Sequence, residues 1–176
     1  MSGKERCKWC QGDALLEEYH DFEWGIAPEN DDELFERMAM QIFQAGLNWK
    51  LILQKRENFN KAFCGFSIEQ VSEFDDTILA RLLTDSGIIR NRQKIRAVLH
   101  NARVIRQIQQ DFGSFRFYVD QLPNTLSELQ KEFRQRFQFM GPEIVRMFVF
   151  NIGKIPPPHE KQCWRYEGSE MKRKTG

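Results

Sequence analysis

Hydrophobic residues recur along most of the chain with helical spacing. They stand three and four positions apart at residues 34–43, again at residues 51–63, and over a longer stretch at residues 95–112, which Gly113 ends. Such spacing places apolar side chains on one face of a helix. The only candidate for a strand is the short run FRFYV at residues 115–119. The pattern predicts an all-α fold.

Helix-start signals divide this pattern into separate helices. Ser67 and Gln70 have the spacing of a capping box, in which side chains and backbone N–H groups bond reciprocally across the first turn. Thr125 and Glu128 repeat that spacing before a further helix. Asp76 is the predicted N-cap of a short helix between the two.

The last two helices are joined by a very short turn. One helix ends near Phe137, the residues QFMG follow, and Pro142 fits the first turn of the final helix, which Gly153 ends. Gly141 would leave backbone N–H groups facing outward at a helix N-terminus, which suits a phosphate oxygen. Most such turns have no ligand, so the turn alone is weak support for a nucleic-acid contact.

Size and composition fit one domain. The chain has 176 residues, 41% of them hydrophobic, which is enough for a single core. We expect one domain over residues 1–165, with Cys64 in its core, and an unstructured basic tail over residues 166–176. No apolar run approaches the roughly 20 residues that span a bilayer, and no signal-peptide segment is present. These features predict a soluble intracellular protein without membrane contact.

Charge is distributed unevenly although the net charge is only +1. Residues 13–36 contain ten acidic side chains and no Lys or Arg, whereas residues 86–110 contain basic residues and no acid. A basic face can attract phosphates. An ordinary solvated helix face would carry the same charges, so both interpretations stay open. The basic residues of the second segment are Arg90, Arg92, Lys94, Arg96, Arg103 and Arg106.

Four side chains have the chemistry of a tetrahedral metal site. His159 and Cys163 are separated by three residues, and Cys7 and His20 by twelve, which is enough for a loop to fold back. Zinc suits two Cys and two His, and a site closed by four protein ligands is structural. Cys10 could replace Cys7, and free thiols throughout are the other alternative.

Several segments together closely resemble the type I 3-methyladenine DNA glycosylases, a branch of the helix-hairpin-helix glycosylase superfamily. The resemblance extends over about residues 5–163. The run QAGLNW and the divided Cys/His set are its most specific parts. The segments that carry it are YHDFEWG (19–25), LFERMAMQIFQAGLNW (34–49), GIIRNRQKIRAVLHNA (87–102), FQFMGP (137–142) and HEKQC (159–163).

The resemblance implies an enzyme of base excision repair. It would hydrolyse the N-glycosidic bond of 3-methyladenine in alkylated double-stranded DNA and release the free base. The implied fold is the helix-hairpin-helix glycosylase fold, with one structural zinc ion that joins the two ends of the chain. The implied zinc ligands are Cys7, His20, His159 and Cys163.

The resemblance also implies how DNA is held. Two residues match a small wedge that enters the duplex, the turn before the last helix matches the DNA-binding hairpin, and the long basic helix would contact phosphates. A monomer in the bacterial cytosol or nucleoid is expected. The implied DNA contacts are Gly46, Leu47, Gly141, Arg90, Arg92 and Lys94.

An enzyme that excises a base must first rotate the nucleotide out of the duplex into a pocket. Aromatic rings suit a flat, cationic base through stacking and cation–π attraction. The resemblance assigns the stacking ring to Tyr19, and a metal bound at His20 would aim that ring. Trp24 and Trp49 match other aromatic positions of the pocket, with ordinary core packing as the alternative. Gln41, Tyr19 and Trp49 are the implied catalytic group.

Gln41 departs from the family pattern, in which a glutamate reaches the edge of the base. A carboxylate carries charge complementary to a cationic purine, whereas an amide is neutral. Losing that contact would weaken selection of the charged lesion by roughly 1–3 kcal/mol. Gln41 is therefore either a tolerated variant that still offers an acceptor, or the cause of altered specificity. A third reading is a protein that binds DNA or damaged bases without excision.

Overall fold

The computed structural model describes residues 4–166, and within them every regular element is helical. The all-α prediction is confirmed, and the strand candidate at residues 115–119 is helical. From residue 167 onward the predicted basic tail lies outside the described residues. In chain order the helices are α1 (Ala14–Phe22), α2 (Asp31–Gln44), α3 (Trp49–Gln54), α4 (Arg56–Ala62), a 3₁₀ turn (Cys64–Phe66), α5 (Ile68–Ser72), α6 (Asp76–Thr84), α7 (Arg92–Phe112), α8 (Phe115–Gln121), α9 (Leu126–Arg136) and α10 (Pro142–Asn151).

Helix α2 runs through the middle of the core. Every residue from Leu34 to Phe43 is buried, because α7, α8 and α10 all pack against this helix. Phe43 packs on Phe59 with ring centroids 4.5 Å apart, at the end of α2 that carries Gln41. Close packing on all sides fixes the helix and therefore the position of Gln41. In the described range no helix combines the length and apolarity needed to cross a membrane.

The predicted helix starts are partly correct. Ser67 accepts a hydrogen bond from the Gln70 backbone as predicted, but the cap of α6 is Asp75 rather than Asp76. Thr125 bonds the side chain of Glu128 instead of the backbone, so the full capping box does not form there. Helix α1 has its own cap, Asp13, which the hydrophobic pattern did not reveal.

Two other expectations need correction. The stripe at residues 51–63 forms two short helices, α3 and α4, that meet at Lys55. Cys64, expected in the core, is exposed, because the chain adopts positive φ at Cys64 and Phe66 and turns Phe66 inward instead. The thiol of Cys64 therefore faces solvent.

Lys94 also has a different place from the one predicted for a phosphate contact. It is only 5% exposed, and its ammonium donates hydrogen bonds to the carbonyl oxygens of Phe43, at 2.9 Å, and Ala45, at 2.6 Å. These carbonyls belong to the last turn of α2 and its C-cap, where a helix dipole favours positive charge. Lys94 therefore holds the end of α2, whereas Arg90 and Arg92 are exposed.

We predict that Lys94→Met lowers the free energy of unfolding by about 2 kcal/mol, because buried carbonyls then lose a charged donor. Urea unfolding followed by circular dichroism would measure this. Arg92→Met removes an equally long, exposed cation two positions away and should stay within about 0.5 kcal/mol of the wild type. Equal effects of the two changes would contradict the capping role of Lys94.

Candidate functional site

A cavity of about 290 Å³ opens between α1, α2, α3 and α10. This volume is at the small end of the range for small-molecule sites. Five of its lining residues are aromatic and only one carries a formal charge. The lining residues are Trp9, Tyr19, Trp24, Gln41, Gln44, Trp49, Arg146, Met147, Phe150 and Pro158.

Tyr19 and three tryptophans form most of the aromatic part of the cavity wall, and Phe150 is its fifth ring. The ring centroids of Tyr19 and Trp49 are 5.1 Å apart, and those of Tyr19 and Trp24 are 6.1 Å apart. Trp9, from the segment before α1, stands edge-on to Tyr19 at 6.1 Å and is 43% exposed at the mouth. Edge-to-face and tilted pairs at these distances stabilise one another. The arrangement holds several ring faces around a small volume.

Gln41 is the polar group at the buried side of the cavity. It is 2% exposed, and its amide makes no hydrogen bond with any described residue. Buried amides are normally satisfied, so an unpaired one that lines a cavity is available to a ligand. The indole N–H groups of Trp24 and Trp49 are likewise buried without a partner. The cavity thus offers aromatic faces together with the unpaired amide of Gln41, whereas the two indole N–H groups are enclosed by protein.

Arg146 is the single charged residue among those that line the cavity. Its guanidinium binds the carboxylate of Glu143, one turn earlier on α10, with Nη2–Oε1 at 2.5 Å. Both side chains are more than a third exposed, so this ion pair contributes little to stability.

Burial raises the pKa of Tyr19 well above its ordinary value, and its hydroxyl is neutral at physiological pH.

Two Cys and two His side chains meet behind this cavity. The ligand atoms of Cys7, His20, His159 and Cys163 all lie within 4.8 Å of one another. His20 Nε2 is 3.3 Å from Cys163 Sγ, and His159 Nδ1 is 3.5 Å from Cys7 Sγ. Ligand atoms of tetrahedral zinc are roughly 3.5 Å apart when the metal–ligand distances are near 2.2 Å. The group could hold a metal ion, whereas Cys10 lies beside it and bonds the Cys7 carbonyl.

A carboxylate supports the histidine nearest the cavity. Asp21 Oδ1 is 2.8 Å from His20 Nδ1, and Arg6 and Trp164 also donate to this carboxylate. Burial alone raises the pKa of Asp21, but the bonds from Arg6, His20 and Trp164 outweigh it and bring the pKa to about 2. Asp21 is therefore ionised, and it directs Nε2 of His20 towards the two thiols, as is usual around metal sites.

The protonation states suit metal binding. Burial lowers the pKa of His159 to about 4 and also lowers that of His20, so both imidazoles are neutral at pH 7. Burial raises the pKa of the Cys7 thiol to about 11, so its proton must leave when a metal binds. Backbone N–H groups of Glu160 and Arg165 already donate to Sγ of Cys7 and Cys163 at 3.4 Å.

The segments that carry this group also form part of the cavity. Tyr19 precedes His20, and Trp9 lies between Cys7 and Cys10. The first and last described segments approach closely: the backbone N–H of Trp164 donates to the Glu5 carbonyl at 2.8 Å. Tyr19 and the three tryptophans of the cavity, Trp9, Trp24 and Trp49, form the aromatic wall. Its position thus depends on the same contacts that join the first and last described segments.

A glycine permits this close approach. Gly25 has φ of +76°, and a Cβ built there would lie 2.5 Å from the ring of Pro157, so no larger residue fits. Its N–H donates to the Asn151 carbonyl at 2.9 Å. The turn after α1 is therefore packed directly on the end of α10 and on the C-terminal segment.

A family of known proteins has the same sequence pattern. The family model described as methyladenine glycosylase matches residues 9–133, which is well over half of the chain. The chain belongs to the methyladenine glycosylase family. The resemblance inferred from the sequence is confirmed.

Individual members of the family are similar over nearly their whole length. DNA-3-methyladenine glycosylase 1 of Escherichia coli K12 is 34% identical, over 94% of this chain and 99% of the relative. A crystal structure of 3-methyladenine DNA glycosylase I has a TM-score of 0.83 and 31% identity, with 92% of this chain and all of the other covered. A structure of the Staphylococcus aureus enzyme, described as showing the basis of 3-methyladenine recognition, has a TM-score of 0.81 and 27% identity, over 92% and 96%.

The two residues that resemble the family wedge lie on a tight turn beside the cavity. Ala45, with φ −48° and ψ 117°, and Gly46, with φ +78°, have type II turn geometry. The Leu47 N–H donates to the Gln44 carbonyl, and the Gln44 amide donates back to the Leu47 carbonyl at 2.8 Å. Leu47 is 36% exposed at the tip of this turn. Lys94 bonds the carbonyls of Phe43 and Ala45, so the base of this turn is fixed to α7.

The turn between α9 and α10 is held from behind by one side chain. Asn101 donates to the Gln138 carbonyl at 3.0 Å and accepts from the Gln138 N–H at 2.8 Å. Phe139 at the tip has φ of +57° and is partly exposed. Gly141 caps α10 without a side-chain bond, which leaves the first N–H groups of that helix free of capping side chains.

Sequence reasoning placed Tyr19, Trp24, Gln41 and Trp49 in one pocket, and the structure brings all four to one cavity. Their catalytic roles stay predictions. Trp9 was missed, although its position between two cysteines was a usable signal. Two buried asparagines were missed as well, and each interrupts an otherwise apolar helix face. They are Asn101 and Asn151.

We predict that one of the four thiols reacts rapidly with dithiobis(nitrobenzoate) in the native protein, since only Cys64 is exposed. Absorbance of the released thiolate would count reactive groups. Cys64→Ser should remove the rapid phase, and unfolding in urea should expose the remaining thiols. A rapid phase that persisted in Cys64→Ser would show that the group around Cys7 is open to solvent.

Proposed function

We propose that this chain is a DNA glycosylase that excises 3-methyladenine from alkylated DNA. Its relatives carry that name, and one relative's structure is described as showing recognition of this base. The observation that carries the proposal is the aromatic cavity with the unpaired Gln41 amide on its buried side. A flat heterocycle can be stacked on the rings and hydrogen-bonded at its edge in such a site.

The cavity suits the chemistry of the lesion. Methylation at N3 makes adenine cationic, so the base leaves with the electron pair of the glycosidic bond as a neutral molecule. Water then adds to C1′ of the sugar and loses a proton. Since the leaving group is already good, the protein needs to bind and orient the everted base more than to supply a strong acid or base.

Gln41 would contact the base through its amide. The amide can accept a hydrogen bond from an exocyclic amine and donate one to a ring nitrogen, but it brings no charge. The ring faces of Tyr19 and Trp49 supply cation–π attraction for a charged purine. Selection of the cationic base would therefore come mainly from the rings in this chain, rather than from a carboxylate.

The surface around the cavity supports DNA binding. The turn with Leu47 at its tip lies beside the cavity mouth and could fill the gap left by an everted nucleotide. The N-terminus of α10 after Gly141 suits a phosphate oxygen, and the exposed Arg90 and Arg92 could contact the backbone further along. Lys94 supports the wedge turn from below instead of contacting phosphates.

We predict that the protein releases free 3-methyladenine from methylated duplex DNA, measured by chromatography against a heat-inactivated control. Gln41→Glu should raise the excision rate about tenfold, because a carboxylate makes a charge-assisted bond to the cationic base. Gln110→Glu makes the same change at an exposed position of α7 and should leave the rate unchanged.

The outcomes separate two functions. Duplex binding without base release by the wild type, and release by Gln41→Glu, would favour a lesion-binding protein, which the neutral Gln41 side chain also fits. If neither the wild type nor Gln41→Glu releases the base, and neither binds DNA in a salt-dependent way, the glycosylase and the lesion-binding function are both rejected.

We also propose that the Cys/His group binds one structural zinc ion. The donor set, the spacing of its atoms and the carboxylate behind His20 all support this. Four protein ligands leave no position for substrate, so the metal would hold Trp9 and Tyr19 in place and take no part in bond cleavage.

We predict about one zinc per chain by elemental analysis. His159→Ala should lower zinc content and thermal stability, whereas His100→Ala, which changes the only histidine outside the group, should change neither. Since the Cys7 proton leaves on binding, zinc affinity should fall about tenfold for each proton released as the pH drops by one unit. Competition with a chromogenic chelator at several pH values would measure this, and a pH-independent affinity would contradict the assignment.

A further inference from the structure

A single buried amide joins the two sides of the cavity. Asn151, the last residue of α10, is 2% exposed, and its Nδ2 donates to the Tyr19 hydroxyl at 2.5 Å. Among the described residues this is the one hydrogen bond that the Tyr19 side chain makes. The bond therefore fixes the outer end of a ring whose backbone is already fixed beside His20.

The backbone of Asn151 is held in this position by two hydrogen bonds. Its carbonyl accepts hydrogen bonds from the Gly25 N–H at 2.9 Å and from Arg37 Nη1 at 3.5 Å. The same guanidinium group donates to the carbonyls of Glu23 and Ile26. Asn151 thus holds the tyrosine from a site anchored to α2 and to the turn after α1.

The amide is costly for stability alone. Asn151 Oδ1 is buried without a partner, and rotating the amide by half a turn would only exchange which of its two polar atoms is unpaired. A leucine of similar size opposite a phenylalanine would fill this space without any unpaired group. A buried polar pair with one unsatisfied atom, at the edge of a cavity, points to a functional role for the pair rather than to packing alone.

The pair also connects two parts of the proposed DNA site. Helix α10 begins at the turn that ends in Gly141, contributes Met147 and Phe150 to the cavity, and ends at Asn151. Tyr19 lies on the opposite wall, in α1. The Asn151–Tyr19 bond therefore couples the helix that follows the hairpin turn to the stacking ring.

We propose that Asn151 is a positioning residue for base recognition, acting through the hydroxyl of Tyr19 to hold that ring against the everted purine. The inference rests on the proposed glycosylase function and adds to it a specific residue. It predicts that the two side chains act as one unit, so that removing either has the same effect as removing both.

The test is a double-mutant cycle with free 3-methyladenine as ligand and quenching of tryptophan fluorescence as readout. Asn151→Leu and Tyr19→Phe should each weaken binding of the base about tenfold, because each removes a buried hydrogen bond that orients the ring. The double variant should bind no more weakly than either single variant. Its thermal midpoint should equal or exceed that of Asn151→Leu, since it leaves no unpaired hydroxyl.

A matched variant controls for the loss of a buried amide as such. Asn101→Leu makes the same change in α7, where the side chain holds the Gln138 backbone instead of Tyr19. It should weaken binding to duplex DNA and leave the affinity for the free base unchanged. Asn151→Leu should weaken binding of the free base and leave the affinity for duplex DNA unchanged.

Additive losses in the cycle, or equal loss of base affinity in Asn101→Leu, would overturn the inference while the glycosylase function stands. Single variants that bind the base as tightly as the wild type would also overturn it. A wild type that neither binds the base nor releases it from methylated DNA would reject the proposed function, and the inference with it.

Discussion

The structure depends on the contact between the two ends of its chain. The segment before α1 and the last described residues meet at the Cys/His group, where Cys7, Cys10 and Cys163 form a small cluster separate from the main core. The aromatic wall belongs to this small assembly, because Trp9 and Tyr19 stand beside its ligands. The main core fixes the positions of Gln41 and α10. The joined N- and C-terminal segments fix the rings of Trp9 and Tyr19, which face them. The cavity exists where these two units meet.

Several buried polar side chains fix the geometry around the cavity, where the main core and the joined segments are in contact. Lys94 holds the end of α2, Asn101 holds the turn before α10, and Asn151 holds Tyr19. Each is a buried polar residue that bonds a turn, a helix end or a cavity side chain. Hydrophobic packing positions the helices, and these few directional bonds set the finer geometry around the cavity.

Much of the fold could be predicted because helical periodicity is a local signal. The long α7 and the end of α10 followed from it, as did the all-α class. The path of the chain at Cys64 did not, because positive φ at a non-glycine residue has no sequence signature. The inward position of Lys94 was equally hidden, since its partners are carbonyls about 50 positions away. Family resemblance supplied the pocket residues, whereas Trp9 and Asn151 required the three-dimensional arrangement.

Joining the first and last segments has a consequence for synthesis on the ribosome. Helices α2 to α10 contain the whole main core and could collapse before the chain is complete. His159 and Cys163 follow α10 in the chain, so the aromatic wall can be fastened only after the helices of the main core have been synthesised. A chain that stops before His159 would therefore have a folded main core, while Trp9 and Tyr19 would lack the contacts of the Cys/His group.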